Sequence, residues 1–153
     1  MTKVLLWVPD VPGDRQSHVA QALRNFGLSG LWCAQPNSER CYQVKLEAEV
    51  PADLLPQLVS ELAAVSNAFE VTSLEAPCEQ YLFHIGLGIR RLDLSPAGQV
   101  LVPAEQVEEA LSKAQGNLKE FQRQLRLIQG TAWLDLMDSY RHEESVRLLP
   151  FAV

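Results

Sequence analysis

The spacing of apolar residues predicts the elements of the first half of the chain. The run from Val4 to Val8 is apolar at every position, which predicts a central strand that is covered on both sheet faces. Residues 41–50 alternate between apolar and polar side chains, which is typical of a half-buried strand. Elsewhere apolar residues recur every three or four positions, which predicts helices. In chain order, the predicted elements are strand 4–8, helix 19–26, strand 31–34, strand 41–50, helix 54–65 and strand 69–74.

This order of elements predicts the fold class. Strand, helix, strand, strand, helix, strand indicates an α+β fold with the βαββαβ core of ferredoxin-like domains, built on an antiparallel sheet. Such a core leaves one sheet face bare, whereas the apolar first strand requires cover on both faces. We therefore expect a second layer, from the C-terminal half or from a partner subunit. The 153 residues predict a single domain, with residues 1–76 as the ferredoxin-like half and residues 77–153 as a hairpin and long-helix half.

The C-terminal half contains predicted elements that could form this second layer. Residues 81–94 predict one strand, which a turn joins to a return strand at 99–102, so that the two form a β-hairpin. A single long helix is then predicted over residues 103–129, because its apolar positions alternate at spacings of four and three. This spacing places the apolar residues in one line along the helix, called the seam below, and it predicts that the helix packs on the sheet or against a second copy of the chain. Its interface candidates are Val107, Leu111, Leu118, Phe121 and Leu125. A helical segment at 131–140 and a strand at 146–149 complete the prediction.

Composition and charge exclude several classes of function. Hydrophobic residues make up 47% and charged residues 21% of the chain, which is typical of a folded domain. Thirteen basic and nineteen acidic residues give a formal net charge of −6, which argues against binding to nucleic acid or anionic membranes. No segment has the length of a membrane span or the pattern of a signal peptide. The three cysteines are odd in number and lack Cys-x-x-Cys spacing, which predicts reduced thiols and a cytoplasmic protein.

Two groups of polar residues are candidates for ligand binding. Arg15 and His18 lie at the start of the first predicted helix, where free amides can hold an anion; the alternative is an ordinary connecting loop. His84 and Arg90 alternate with two glycines, which would let a ligand approach the backbone; the alternative is a solvated face. His142 stands beside two glutamates, but three or four converging ligands are needed for a metal, so we predict no metal site and no cofactor.

An ordered series of short motifs carries a family resemblance. The motifs are His18-Val19, Ala22-Leu23, Trp32, Gln35-Pro36, Phe69-Glu70-Val71, Leu87-Gly88, Gly98 with Val100 and Val102, Gly130-Thr131-Ala132-Trp133, and Tyr140-Arg141. From about His18 to Leu149, the chain resembles the actinobacterial family of domain of unknown function 3145. The family has no established activity, so the resemblance implies no catalytic residue. It ranks His18, Gln35, Trp133, Tyr140 and Arg141 above His142 and the cysteines as candidates, and it implies a supporting role in fatty-acid metabolism.

The sequence therefore predicts a non-catalytic cytosolic binding or regulatory module, with a homodimer, another protein or a small ligand as its partner. This expectation depends on a complete fold pattern that lacks a recognisable nucleophile, metal set or cofactor motif. The alternative is a small-molecule enzyme with a polar pocket between the sheet and the C-terminal helices, where His18, His84, Arg90 and Arg141 would be the polar groups. A closed polar pocket would favour the enzyme, and a broad exposed apolar patch would favour the partner module.

Overall fold

Eight strands form one antiparallel sheet in this computed structural model, which describes residues 1–35, 40–141 and 148–150. The strands are β1 (Thr2–Pro12), β2 (Leu31–Ala34), β3 (Cys41–Val50), β4 (Ala68–Ser73), β5 (Glu79–His84), β6 (Gly88–Leu94), β7 (Val100–Leu101) and β8 (Leu148–Pro150). Their order across the sheet is β7-β6-β5-β4-β1-β3-β2-β8, and each neighbouring pair is antiparallel. Because β4 pairs with β5, the sheet continues across the boundary between the two predicted halves.

Helices lie on both faces of this sheet, so the predicted combination of α and β structure is confirmed. The helices of the described part are α1 (Gln16–Arg24), α2 (Leu55–Val65), α3 (Ala104–Ala114), α4 (Leu118–Ile128) and α5 (Thr131–Met137). On the first face, α1 and α2 pack on β1, β3, β4 and β5, and the rings of Phe69 and Phe83 stack there with centroids 5.2 Å apart. On the second face, α5 packs Met137 against Trp7 and packs Trp133 against the side chains of β5 and β6.

The central strand β1 is covered unequally on its two faces. Val4, Leu6 and Val8 point into the first face and are buried against α1 and α2. On the second face Trp7 is only 5% exposed, but its neighbour Leu5 is 44% exposed. The expected cover on both faces is therefore present at Trp7 and absent at Leu5. The physical reason is length, because a helix of seven residues such as α5 spans only about 10 Å.

The predicted single helix over residues 103–129 is wrong. The chain reverses at residues 115–117, so that α3 packs against α4 in a helical hairpin. Gln115 and Gly116 have positive φ values of 50° and 82°, which end α3 in the left-handed region. Asn117 then begins α4, because its side-chain oxygen accepts a 3.1 Å hydrogen bond from the amide of Glu120. The four-and-three spacing continues through this turn and so does not reveal it.

The predicted single strand over residues 81–94 is also wrong. Residues 85–87 form a tight turn between β5 and β6, closed by a 2.9 Å hydrogen bond from the Leu87 amide to the His84 carbonyl. Gly88 follows with a φ of 88°, a value that favours glycine. The expected return strand at 99–102 is the two-residue strand β7.

Three predicted features fall wholly or partly outside the described residues. The final strand predicted at 146–149 overlaps β8, but its first two residues lie outside the described part. The connection Pro36-Asn37-Ser38 and the residue His142 also lie outside it. Among the described residues, no helix combines the length and the apolar character that a membrane span requires.

Candidate functional site

An open concavity of about 430 Å³ lies on the second face of the sheet, beside the uncovered part of β1. The antiparallel register brings its side chains together: Leu5 lies between Glu47 and Thr72, and Trp7 lies between Lys45 and Glu70. The first residue after the C-terminal helical segment completes the lining. The side chains that line this Trp7 concavity are Leu5 and Trp7 from β1, Lys45 and Glu47 from β3, Glu70 and Thr72 from β4, and Arg141.

The indole of Trp7 fixes the position of two cations at one end of the concavity. Its Nε1 donates a 2.9 Å hydrogen bond to the side-chain oxygen of Gln43, which is buried on β3. The guanidinium of Arg141 lies 4.5 Å from the ring centroid, and the ammonium of Lys45 lies 5.5 Å from it. Both distances are within the range of cation–π attraction. Trp7 therefore acts as a platform that orients positive charge toward the concavity.

An ion pair between Glu70 and Arg141 crosses this platform. The Glu70 side chain is only 13% exposed, and burial raises the pKa of its carboxyl although Arg141 and Lys45 oppose the shift. Glu70 thus offsets the charge of Arg141 in a partly desolvated environment. Within the described part of the chain, no carboxylate lies within ion-pair distance of Lys45, although Glu70 is close enough to interact with its charge.

A hydrogen-bond network around Asp10 holds Arg141 in place. Asp10 adopts a positive φ of 53° within a bulge of β1, and Asn67 donates to its carbonyl and carboxylate at 3.3 and 3.4 Å. The hydroxyl of Tyr140 donates to the same carboxylate at 3.2 Å. Buried Gln35 accepts from the Asp10 amide and donates to the Tyr140 carbonyl at 2.9 Å. The network therefore ties the chain just before Arg141 to β1 and to the end of β2.

Burial and the nearby Asp10 carboxylate raise the pKa of Tyr140. Both effects disfavour the phenolate, so the hydroxyl keeps its proton and acts as the donor to Asp10. The network is consequently a fixed support for the concavity, in which each polar side chain has a partner. Asp10 pairs a strained backbone with two side-chain donors, an arrangement that is found where a structure positions functional groups.

The structure brings together three of the predicted binding candidates and separates the others. Gln35, Tyr140 and Arg141 meet through the Asp10 network and the Trp7 concavity. Arg15 and His18 lie on the opposite side of the sheet, at the start of α1. His18 is exposed there and lines a shallow groove of about 330 Å³ between α1 and α2.

His84 and Arg90 share a sheet face but do not line the concavity. The Nδ1 atom of His84 accepts a 3.0 Å hydrogen bond from the amide of Gly86 in the turn after β5. Arg90 donates from two guanidinium nitrogens to the carbonyl of Ile128, at 3.2 and 2.7 Å, and to the side chain of Gln106 at 3.3 Å. Arg90 therefore attaches the start of α3 and the end of α4 to β6.

The five interface candidates all lie on the helical hairpin and differ in burial. Leu111 and Leu118, which lie on either side of the turn, are 57% and 67% exposed. Val107, Phe121 and Leu125 are partly buried. The turn thus divides the predicted continuous seam into two facing parts with an exposed apolar end.

Sequence reasoning missed several residues of the site. The apolar run of β1 predicts a buried Trp7 and the alternation of β3 predicts an exposed Lys45, and both are confirmed, but neither pattern indicates that the two side chains meet at the concavity. Glu70 is predicted only as part of a family motif, although a charged residue between Phe69 and Val71 in an apolar strand itself indicates a functional role. Asp10 had no such indication, because its partners come from distant parts of the chain.

The described part of the chain thus combines α-helices with one antiparallel sheet and carries a charged, open concavity on the second sheet face. The chain belongs to a family of proteins of unknown function, DUF3145, whose family model matches residues 9–149. The resemblance predicted from the motifs is therefore confirmed. No curated protein and no solved structure matches the chain significantly. The family description assigns no activity to its members.

Proposed function

We propose that the protein is a non-catalytic binding module and that it binds a small amphipathic anion in the Trp7 concavity. The observation that carries this proposal is the position of Lys45. Its ammonium lies 5.5 Å from the centroid of the Trp7 ring, and no described carboxylate lies at ion-pair distance from it, whereas Arg141 at the same ring is paired with Glu70. In a chain with a formal net charge of −6, a cation at the concavity that no ion pair neutralises favours an anionic ligand.

The apolar part of the ligand would contact Leu5. This side chain is exposed on the same strand face as Trp7, two residues away, which corresponds to about 7 Å along the strand. A ligand whose anionic group reaches Lys45 would therefore place a short apolar body over Leu5. The volume of about 430 Å³ is within the usual range for small-molecule sites.

The openness of the concavity and the chemistry of its lining support binding rather than catalysis. The lining residues of the described chain include no histidine and no cysteine, the side chains most often used as bases and nucleophiles near neutral pH. The ion pair between Glu70 and Arg141 crosses the platform, and the Asp10 network holds Tyr140, the residue before Arg141. These features favour a preformed surface that recognises charge and shape.

We also propose that β1 to β4 with α1 and α2 constitute a ferredoxin-like core and that the protein acts in the cytoplasm. The strand order β4-β1-β3-β2, with both helices on one face, supports the fold assignment. The three cysteines form no disulfide, which supports a reducing compartment. An amphipathic anion as ligand is compatible with a supporting role in fatty-acid metabolism, which the family resemblance implies.

Fluorescence titration with anilinonaphthalene sulfonate, which joins a flat apolar body to one sulfonate, tests the proposed site. We expect Lys45→Gln to weaken binding of this probe about tenfold, because one charge-assisted contact is lost. Leu5→Ser should weaken it severalfold through lost apolar contact. Lys119→Gln, which removes an exposed charge from α4, is the matched control and should leave the affinity unchanged. Equal affinities in the Lys45 variant and the wild type would exclude the Trp7 concavity as the site.

A second candidate function is an enzyme that uses Glu70 as a proton donor or acceptor. The specific observation is the raised pKa of this carboxyl at the edge of the concavity, since perturbed carboxyls cluster at active sites. Incubation with a panel of small esters and thioesters, followed by mass spectrometry, separates the two candidates. Turnover that is lost in Glu70→Gln would support the enzyme, and unchanged compounds would support the binding module.

A further inference from the structure

The geometry points to an interaction surface on the α3–α4 hairpin, and we propose that a second copy of this chain covers it. The first observation concerns α4, which carries five large apolar side chains but contains no buried residue. An amphipathic helix of a folded domain normally buries its apolar stripe. In α4 that stripe is only partly covered by the rest of the described chain.

The exposed apolar surface is concentrated at the tip of the hairpin. Leu118, the first residue of α4, is 67% exposed, and Leu111, one turn before the end of α3, is 57% exposed. The opposite end of the hairpin is anchored. Arg90 binds the end of α4 and the start of α3, and Leu127 packs with Trp133 on the second sheet face. The hairpin is therefore held at its base and presents leucines at its tip.

The charges of the two helices favour a second copy over an unrelated partner. Three glutamates and one lysine give α3 a net charge of −2. Three basic residues and one glutamate give α4 a net charge of +2. In a two-fold symmetric interface, α3 of each protomer can face α4 of the other, so opposite charges meet twice. One chain thus carries both parts of a complementary surface.

The ion pairs within the hairpin leave these charges available for an interface. Lys113 pairs with Glu109 and Arg123 pairs with Glu120, in each case within one helix, and Arg126 pairs with Asp135 of α5; all three pairs are exposed to solvent. Exposed pairs of this kind contribute little free energy and exchange partners at small cost. Among the residues that the structure describes, no ion-pair partner lies near Glu105, Glu108 or Lys119. The tip leucines would supply the apolar centre of the interface, and these charges its rim.

Sedimentation velocity of the full chain over a range of protein concentrations tests the proposal. We expect a reversible dimer that Leu118→Glu weakens at least about tenfold, since a charge would enter the apolar centre. The substitution should preserve the fold, because an exposed glutamate is favourable in the first turn of a helix. Ile85→Glu is the control: Ile85 is 68% exposed in the turn between β5 and β6, outside the hairpin, and its variant should dimerise like the wild type.

Exchanging the charges of one α3 residue and one α4 residue distinguishes a contact across the interface from an effect on folding alone. Glu108→Lys alone and Lys119→Glu alone should each weaken the dimer, and the two together should restore it. A monomer at every concentration would overturn the proposal, as would a dimer that Leu118→Glu leaves intact or that Ile85→Glu weakens equally. Failure of this proposal would leave the Trp7 concavity unaffected, because the two surfaces share no residue.

Discussion

In the N-terminal half, β1, β3 and β4 pack against α1 and α2, and side chains such as Val4, Leu58 and Phe69 are completely buried. In the C-terminal half, α4 has no buried residue and α3 buries only two alanines. The first half is thus a sandwich of sheet and helices with a continuous core. The strands of the second half continue the sheet, whereas its helices are attached to that sheet through a few specific contacts.

Those contacts are concentrated around α5. The Nε1 of Trp133 donates a 2.8 Å hydrogen bond to the Gly88 carbonyl, and its ring packs between Leu82 and Leu92. Arg90 adds the attachment of α3 and α4. The difference between the halves teaches that the continuous core and the exposed apolar surface lie in different parts of the molecule. The N-terminal core contains most of the buried apolar side chains, whereas the second sheet face at Leu5 and the hairpin leave apolar side chains exposed.

The largest expected difference between the halves concerns single phenylalanines. Phe69→Ala should lower the free energy of unfolding by about 3–5 kcal/mol, because it leaves a cavity beside the stacked ring of Phe83. Phe121→Ala in α4 should lower it by only about 1 kcal/mol, because that ring is already partly exposed. Equilibrium urea denaturation measures both values. Equal losses would contradict the distinction between a continuous core and an attached hairpin.

A smaller difference is expected between two glycines of the C-terminal half. Gly116 and Gly130 both have positive φ values, of 82° and 78°, so alanine at either position should cost about 1–2 kcal/mol of strain. A Cβ at Gly130 would also lie 2.7 Å from Leu92 and 2.8 Å from Leu82, whereas nothing lies within 4 Å at Gly116. Gly130→Ala should therefore cost about 1–3 kcal/mol more in thermal unfolding than Gly116→Ala. Equal costs would show that α5 can move away from the sheet.

The fold of the N-terminal half could be predicted because each of its patterns of apolar and polar residues corresponds to a single strand or a single helix. The alternation over residues 41–50 identifies a strand with one buried face, and β3 has the predicted bounds. The seam of the C-terminal half was ambiguous for a physical reason. Four-and-three spacing keeps apolar residues on one face of a single long helix. The same spacing also fits two shorter helices that fold back and pack their apolar faces against each other. Only Gly116 and Asn117 indicate the reversal locally.

The candidate site could be predicted only in part, for a related reason. Gln35, Tyr140 and Arg141 belong to motifs that the family resemblance singled out. Trp7 and Glu70 lie opposite each other because of the register between β1 and β4, which links distant parts of the chain. Register depends on which strands become neighbours in the sheet. A pattern read along the sequence gives the exposed face of each strand, but it does not give the charges that meet across strands.

The smallest expected effects concern two glutamates, one from each half, whose pKa values shift in opposite directions. Burial raises the pKa of Glu70 above its ordinary value of 4.5. The folded state therefore holds this proton more tightly than the unfolded state, and the corresponding stability is lost as the pH rises from 4.5 through the raised pKa. Glu70→Gln should remove this dependence, so the stability of the wild type relative to the variant should fall as the pH rises toward neutrality.

Glu120 on α4 should show the opposite dependence. Hydrogen bonds from Arg123 and Gln124 lower its pKa from 4.5 to about 2. Its contribution to stability is therefore present above pH 4.5 and is lost as the pH falls toward 2. The wild type should lose stability relative to Glu120→Gln only on the acidic side, and by a small amount because the group is exposed. Denaturant unfolding at a series of pH values measures both differences. If both stability differences changed with pH in the same direction, the carboxyl in the Trp7 concavity would be as well solvated as the carboxyl on the hairpin. The two regions would then not differ in the way that their burial indicates.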